Sequence, residues 1–202
     1  MNETLPVSRQ NNRVHILETA LKLFSEKGFE GTGVQDLAES AGVTKPTLYY
    51  FFKSKEGILR GVWEHYSLDF IREMEEACVY RPHVSEYEKD VFPQLCKIAE
   101  TIGKLASEHN YFFHLMVMQN FAPSQSPTVA LLSDLQEKPY KLLAQFFLDV
   151  GKAHGNVKGK EELLSYTFMS AVYIEIVTSE KIENKEKDFA MVVKQFMHGI
   201  FS

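Results

Sequence analysis

The chain has 202 residues, enough for one large core or a small module beside a larger one, and its 45% hydrophobic and 24% charged content excludes a disordered or membrane-embedded polypeptide. A net charge of −5 excludes a uniformly basic polyanion binder, but the charge is unevenly shared. Residues 1–62 hold eight Lys/Arg and seven Asp/Glu, which leaves 14 basic and 20 acidic residues for the rest, so a near-neutral head precedes an acidic body.

Cys78 and Cys96 form no Cys-x-x-Cys pair, which points to packing thiols and to no structural metal or disulfide. The first thirteen residues lack the apolar stretch of a secretory signal, and no run approaches the roughly 18 apolar residues of a membrane span. A cytoplasmic chain with no membrane contact is expected.

Period-two alternation never persists, whereas apolar residues recur three and four apart along most of the chain, so the fold class is all-α. Val14, Leu17, Leu21 and Phe24 mark a helix over about 9–27, closed by Gly28. A short helix over 34–40 turns Val34, Leu37 and Ala38 inward, and Gly42 supplies the turn that follows. Thr44 is a suitable N-cap for a third helix over about 45–51, with Pro46 in its first turn, where a missing N–H costs little. A longer helix begins at 53–56 and runs to about 79, before Arg81-Pro82. Further helices are expected at about 85–107, 109–120, 126–153, 160–180 and 185–201, punctuated by Pro123, Pro127 and the Gly151–Gly159 stretch.

Two short helices joined by a Gly-containing turn behind a longer amphipathic helix form the frame of a helix-turn-helix head. The residues sharpen this. Ile16-Leu17-x-x-Ala20-x-x-Leu23-Phe24-x-x-x-Gly28-Phe29, Val34-x-x-Leu37-Ala38-x-x-Ala41-Gly42-Val43 and Lys45-x-Thr47-Leu48-Tyr49-x-x-Phe52-x-x-Lys55 together resemble the signature of the TetR family of bacterial transcriptional regulators. The resemblance covers about residues 13–60. It implies a helix-turn-helix DNA-binding domain over 1–55 and a helical effector-binding and dimerisation domain over 56–202.

The candidate DNA-binding residues are Thr32, Thr44, Lys45, Thr47, Tyr49, Tyr50 and Lys55. Lys45 and Thr47 lie near the start of the recognition helix, where Lys can reach guanine O6/N7 and Thr can offer its hydroxyl or methyl, or only support the first turn. Tyr49, Tyr50 and Lys55 suit phosphate contacts, with one tyrosine of the pair free to serve as core instead. Two positions depart from the family pattern: Gly33 replaces a Ser or Thr, and Phe51 replaces a Tyr or His, each removing a polar phosphate contact. Thr32-x-x-Gln35 can compensate by forming a capping box that presents the Thr32 hydroxyl.

One recognition helix reads only a few base pairs, so a homodimer on a pseudo-palindromic operator is expected. The helix around 163–177 is apolar nearly all round, and the last helix carries a clean apolar stripe. The resemblance implies that these two helices pair with their mates, through Phe168, Val172, Ile176, Val193, Phe196 and Met197; alternatively they complete the monomer core. Glu175 within this run fits a pocket group, a dimer contact or an exposed side chain. The aromatic and Met-rich set Phe112, Phe113, Met116, Phe121, Phe147 and Phe168 suits an apolar pocket for a small-molecule effector of unknown identity, or an ordinary core.

The reading that results is a repressor released from DNA by a small molecule, with the long helix over about 55–79 carrying the motion and no cofactor or metal. The alternative is a DNA-binding architectural or interaction protein on the same fold, with a protein partner and no small ligand. An enzyme is disfavoured, because no Glu-x-x-His pair, His-Glu-x-x-His, phosphate-binding loop or Gly-x-Ser-x-Gly elbow occurs.

Overall fold

Apolar spacings of three and four wind into helices as expected: the computed structural model describes residues 7–82, 87–155, 157–183 and 185–199, and among them nine α-helices and no strand. They are α1 (Val7–Lys27), α2 (Val34–Ser40), α3 (Lys45–Phe52), α4 (Lys55–Ala77), α5 (Tyr87–Glu108), α6 (Asn110–Asn120), α7 (Pro127–His154), α8 (Glu161–Lys181) and α9 (Phe189–His198). No helix among the described residues is long and apolar enough to cross a membrane.

The helix ends follow from local chemistry. Gly28 at φ +75° leaves α1 through the left-handed region, its N–H donating to the Phe24 carbonyl at 3.0 Å, and Gly42 at φ +62° does the same after α2. The Thr44 hydroxyl caps α3 by accepting the Thr47 N–H at 3.3 Å, and the Ser54 hydroxyl caps α4 by accepting the Gly57 N–H at 3.1 Å. Between α3 and α4 stands Lys53 at φ +63°, the one non-glycine residue with positive φ among those described. The last helix is shorter than the stripe suggested. Asp188 accepts the Met191 N–H at 2.8 Å and starts α9 there, while Gly199 at φ +76° ends it; Ile200 lies outside the described residues.

The chain divides into two units, with α4 and α7 contributing residues to each. The first takes the described residues up to Leu68 together with His109–Leu135; the second takes Asp69–Glu108 and the described residues from Gln136 onward. The expected boundary at 55/56 therefore lies inside the first unit.

In the first unit α1 packs on α2 and α6, and α2 packs on α3. Ile16, Leu17, Ala20 and Phe24 are buried, as are Leu37, Ala38, Leu48 and Phe52, so the helix-turn-helix is braced by its own apolar faces. Trp63 meets Phe112 edge to face at 5.3 Å between ring centroids. In the second unit α5 packs on α8 and α9, and α8 on α9. A Cβ at Gly103 would lie 2.5 Å from the Phe189 ring, so glycine is what allows α5 and α9 to approach so closely. Cys78 and Cys96 both belong to this unit. Burial pushes the Cys78 thiol up to about 12, and burial with the nearby Glu100 and Asp188 carboxylates also raises Cys96.

Candidate functional site

Helix α3 owes its orientation to two residues one turn apart. Leu48 and Phe52 are 1% and 7% exposed and fix the inner face, which leaves Lys45, Tyr49 and Tyr50 on the outside. Tyr49 is 47% and Tyr50 64% exposed, so both tyrosines of the pair face solvent and neither is core. The Arg13 guanidinium lies 5.3 Å from the Phe52 ring centroid and holds the helix from behind. Thr44 and Thr47 hydroxyls share a hydrogen bond of 2.9 Å, so Thr47 supports the first turn while remaining half-buried. Phe51, the departure noted above, packs edge to face on Tyr50 at 5.2 Å.

Two expectations are corrected by geometry. Thr32 is only 1% exposed, and its hydroxyl donates inward to the Gly28 carbonyl at 2.8 Å, so it presents nothing outward. Its capping box does not form: Gly33 is the N-cap, its N–H donates to the Asp36 carboxylate at 3.0 Å, and Gln35 instead hydrogen-bonds Glu39. Lys55 is also turned inward. Its ammonium donates to the Phe29 carbonyl at 2.9 Å and sits 4.1 Å from the Phe29 ring centroid, closing the loop after α1 onto the start of α4.

The aromatic set expected to line one pocket is divided. Phe112 and Phe113 are fully buried and Met116 nearly so in the first unit, where Trp63 and Tyr66 pack on Phe112. Phe121 is 68% exposed, and Phe147 and Phe168 belong to the second unit. Within that unit a cleft of about 130 Å³ is lined by Val91, Leu95, Phe147, Val150, His154, Val157, Leu164, Phe196 and Met197. Only Phe147 of the predicted set lines it, whereas Phe196 and Met197, expected at a dimer interface, line it too.

His154, in the wall of the cleft, belongs to a polar cluster that no local spacing announces. The Tyr80 hydroxyl donates to the Asp90 carboxylate at 2.8 Å, and His154 Nε2 lies 2.8 Å from the Tyr80 oxygen and 3.1 Å from the same carboxylate oxygen. Because the phenol proton is committed to Asp90, Nε2 is the donor in this cluster. Burial and the Asp90 carboxylate both keep Tyr80 protonated well above the usual phenol range. The three residues are 64 to 74 positions apart in pairs that include His154, so only the fold unites them.

The dimer candidates Phe168, Val172, Ile176 and Val193 are completely buried within the chain, with Phe196 5.1 Å from Phe168 between centroids. These residues form the core of the second unit, not an outer face. The exposed apolar residues of α8 are instead Leu163 at 66%, Tyr166 at 53% and Ile174 at 59%, at helical spacing with half-buried Ala171 and Val177.

Glu175 resolves into a structural role: it ion-pairs with Lys185 at 2.8 Å and accepts the Asp188 N–H at 3.1 Å, tying down the connection that leads to α9. Burial works to raise its pKa, but the Lys185 ammonium, the Asp188 N–H and the Ser179 hydroxyl prevail and hold the carboxyl below the usual range. In the first unit, Arg60 makes a two-pronged ion pair with Asp134, at 3.0 and 2.7 Å, and donates to the Leu131 carbonyl at 3.0 Å.

Residues 16–62 match the model of the bacterial regulatory proteins of the tetR family. Over 55 residues the chain is 42% identical to the transcriptional regulator AcrR of Shigella flexneri, covering 27% of this chain and 26% of that protein. Over 59 residues it is 41% identical to the negative transcriptional regulator IcaR of the biofilm operon of Staphylococcus epidermidis, covering 28% and 32%. The chain thus spans a third or less of the length of these curated relatives. Among solved structures, the regulator FadR of Bacillus subtilis, in complex with stearoyl-CoA, is similar in fold with a TM-score of 0.70 over 93% of this chain and 98% of that one, at 18% identity. Residues 16–62, with the second short helix that exposes Lys45, Tyr49 and Tyr50, are thus similar to the head of the tetR family of bacterial regulatory proteins, and the chain has the fold of a solved regulator over 93% of its length.

Proposed function

We propose that the chain is a transcriptional regulator that binds duplex DNA as a homodimer and is released by a small-molecule effector. The observation that carries the reading is the outer face of α3. A helix eight residues long, fixed by two buried anchors and presenting a lysine and two tyrosines, suits insertion into a major groove, with Lys45 at base edges and Tyr49 and Tyr50 hydrogen-bonding phosphates. Repression is the sign favoured by the similarity of the head to a named negative regulator.

The cleft in the second unit is the effector site in this reading. Its walls are apolar and His154 is its polar group, which suits a ligand with an apolar body; the stearoyl-CoA bound by one protein of similar fold is of that kind. The dimer in this reading is built on the exposed stripe of Leu163, Tyr166 and Ile174 rather than on the buried face of α8.

The test is an electrophoretic mobility shift with DNA from upstream of the chain's own gene, run at low salt with and without a panel of aliphatic acids and their thioesters. A shift that an apolar ligand reverses is expected. Absence of any shift from folded protein sinks the DNA-binding reading; a shift that no ligand relieves, with no ligand raising the melting temperature, favours a regulator controlled by a protein partner.

A further inference from the structure

We propose that Lys53, at the turn after the recognition helix, is the phosphate-contacting lysine at that end of α3, in the place that Lys55 would otherwise fill; the inference rests on the DNA-binding reading above. Three observations converge. The Lys55 ammonium is engaged inside the head, on the Phe29 carbonyl at 2.9 Å and over the Phe29 ring, so reaching a phosphate would break both contacts. Lys53 is exposed, and the nearest acidic residue in sequence, Glu56, is engaged at the start of α4 by its own backbone N–H and the Ser54 hydroxyl. The acidic side chains of α2 are occupied locally, Asp36 by the Gly33 N–H and Glu39 by Gln35.

The backbone adds the third. Lys53 sits at φ +63°, a left-handed conformation that glycine or asparagine adopts more readily, so this turn holds a lysine against its conformational preference. Strain of this kind is tolerated where the side chain has a use. The spacing supplies that use. Lys45 and Lys53 bracket α3 eight positions apart, about 12 Å along a helix rising roughly 1.5 Å per residue. The major groove is about 12 Å wide, so two cations at this separation can meet the phosphates on its opposite walls while the tyrosines lie between them.

The experiment measures binding of full-length protein to a short labelled random-sequence duplex by fluorescence anisotropy across a salt series, because the non-specific term isolates phosphate contacts. Each lost phosphate contact should lower the slope of log K against log salt by about 0.9 per bound chain. Lys53→Asn should lower the slope by that amount and weaken binding at every salt concentration, with an unfolding midpoint equal to or above that of the wild type. Lys53→Arg should restore the slope. Lys55→Gln should lower the unfolding midpoint and leave the slope as it was. A Lys53→Asn slope equal to the wild type's overturns the inference, as does a Lys55→Gln slope that falls by as much. Wild-type protein that binds no duplex at low salt overturns the DNA-binding reading itself, a result distinct from either.

Discussion

Thr32 and Lys55 show how a residue type can be right for a task and its environment wrong. A threonine before a helix is a good cap, yet here the hydroxyl serves the Gly28 carbonyl from within the core. Thr32→Val should therefore destabilise the head by about 1 to 3 kcal/mol, the range for leaving a buried polar partner unsatisfied, and should leave the salt dependence of DNA binding unchanged. Urea denaturation and anisotropy together would check this; a changed salt slope would return Thr32 to the interface. Lys45→Ala belongs to the opposite case. It should lower affinity for the operator about 5- to 150-fold, corresponding to roughly 1 to 3 kcal/mol for a lost base contact, with little change in the unfolding midpoint. Lys45, Tyr49 and Tyr50 were legible in the sequence because their outward face follows from the buried spacing of Leu48 and Phe52. The inward turn of Lys55 was not, since its partner Phe29 is 26 residues away and a lysine's reach is not encoded in local spacing.

The nine helices of the described residues were all legible as elements, because their periodicity, capping residues and breakers act within a few positions. Which face of α8 is buried was not: a helix apolar on nearly every side gives no direction, and the buried Phe168, Val172 and Ile176 look no different in sequence from the exposed Leu163 and Ile174. Phe168→Ala should cost about 3 to 5 kcal/mol as a core cavity, whereas Ile174→Glu should leave the fold intact and shift sedimentation from dimer to monomer. Failure of Ile174→Glu to alter the sedimentation profile would place the dimer contact elsewhere.

The connection from α8 to α9 carries its own pH dependence. The Glu175 carboxyl is held below its ordinary value, so the stability it adds is complete above about pH 4.5 and is lost as pH falls through its lower folded-state pKa. Glu175→Gln should lower stability at neutral pH and flatten this part of the acid-denaturation profile; an unchanged acid limb would mean that the Lys185 pair contributes nothing net.

At the scale of the whole molecule, the helix-turn-helix belongs to one unit and the residues that line the apolar cleft belong to the other. The sequence suggested a head and a body in order along the chain, but α6 and the first part of α7 return to join the head's unit. That return depends on contacts such as Arg60 with Asp134, 74 residues apart, which no local pattern announces. The same separation gives a practical reading of the two cysteines. Both lie in the second unit, and both thiols are held protonated there, Cys78 with a pKa near 12, so that at neutral pH only about one in 10⁵ of its molecules carries a reactive thiolate. Exposure during opening would raise that fraction by about three orders of magnitude as the thiol returns to a pKa of about 8.5. With Cys96 replaced by serine, the rate at which Cys78 consumes a disulfide reagent therefore serves as a clock for the opening of the cleft-bearing unit, blind to the head, and a ligand seated in the cleft should slow it.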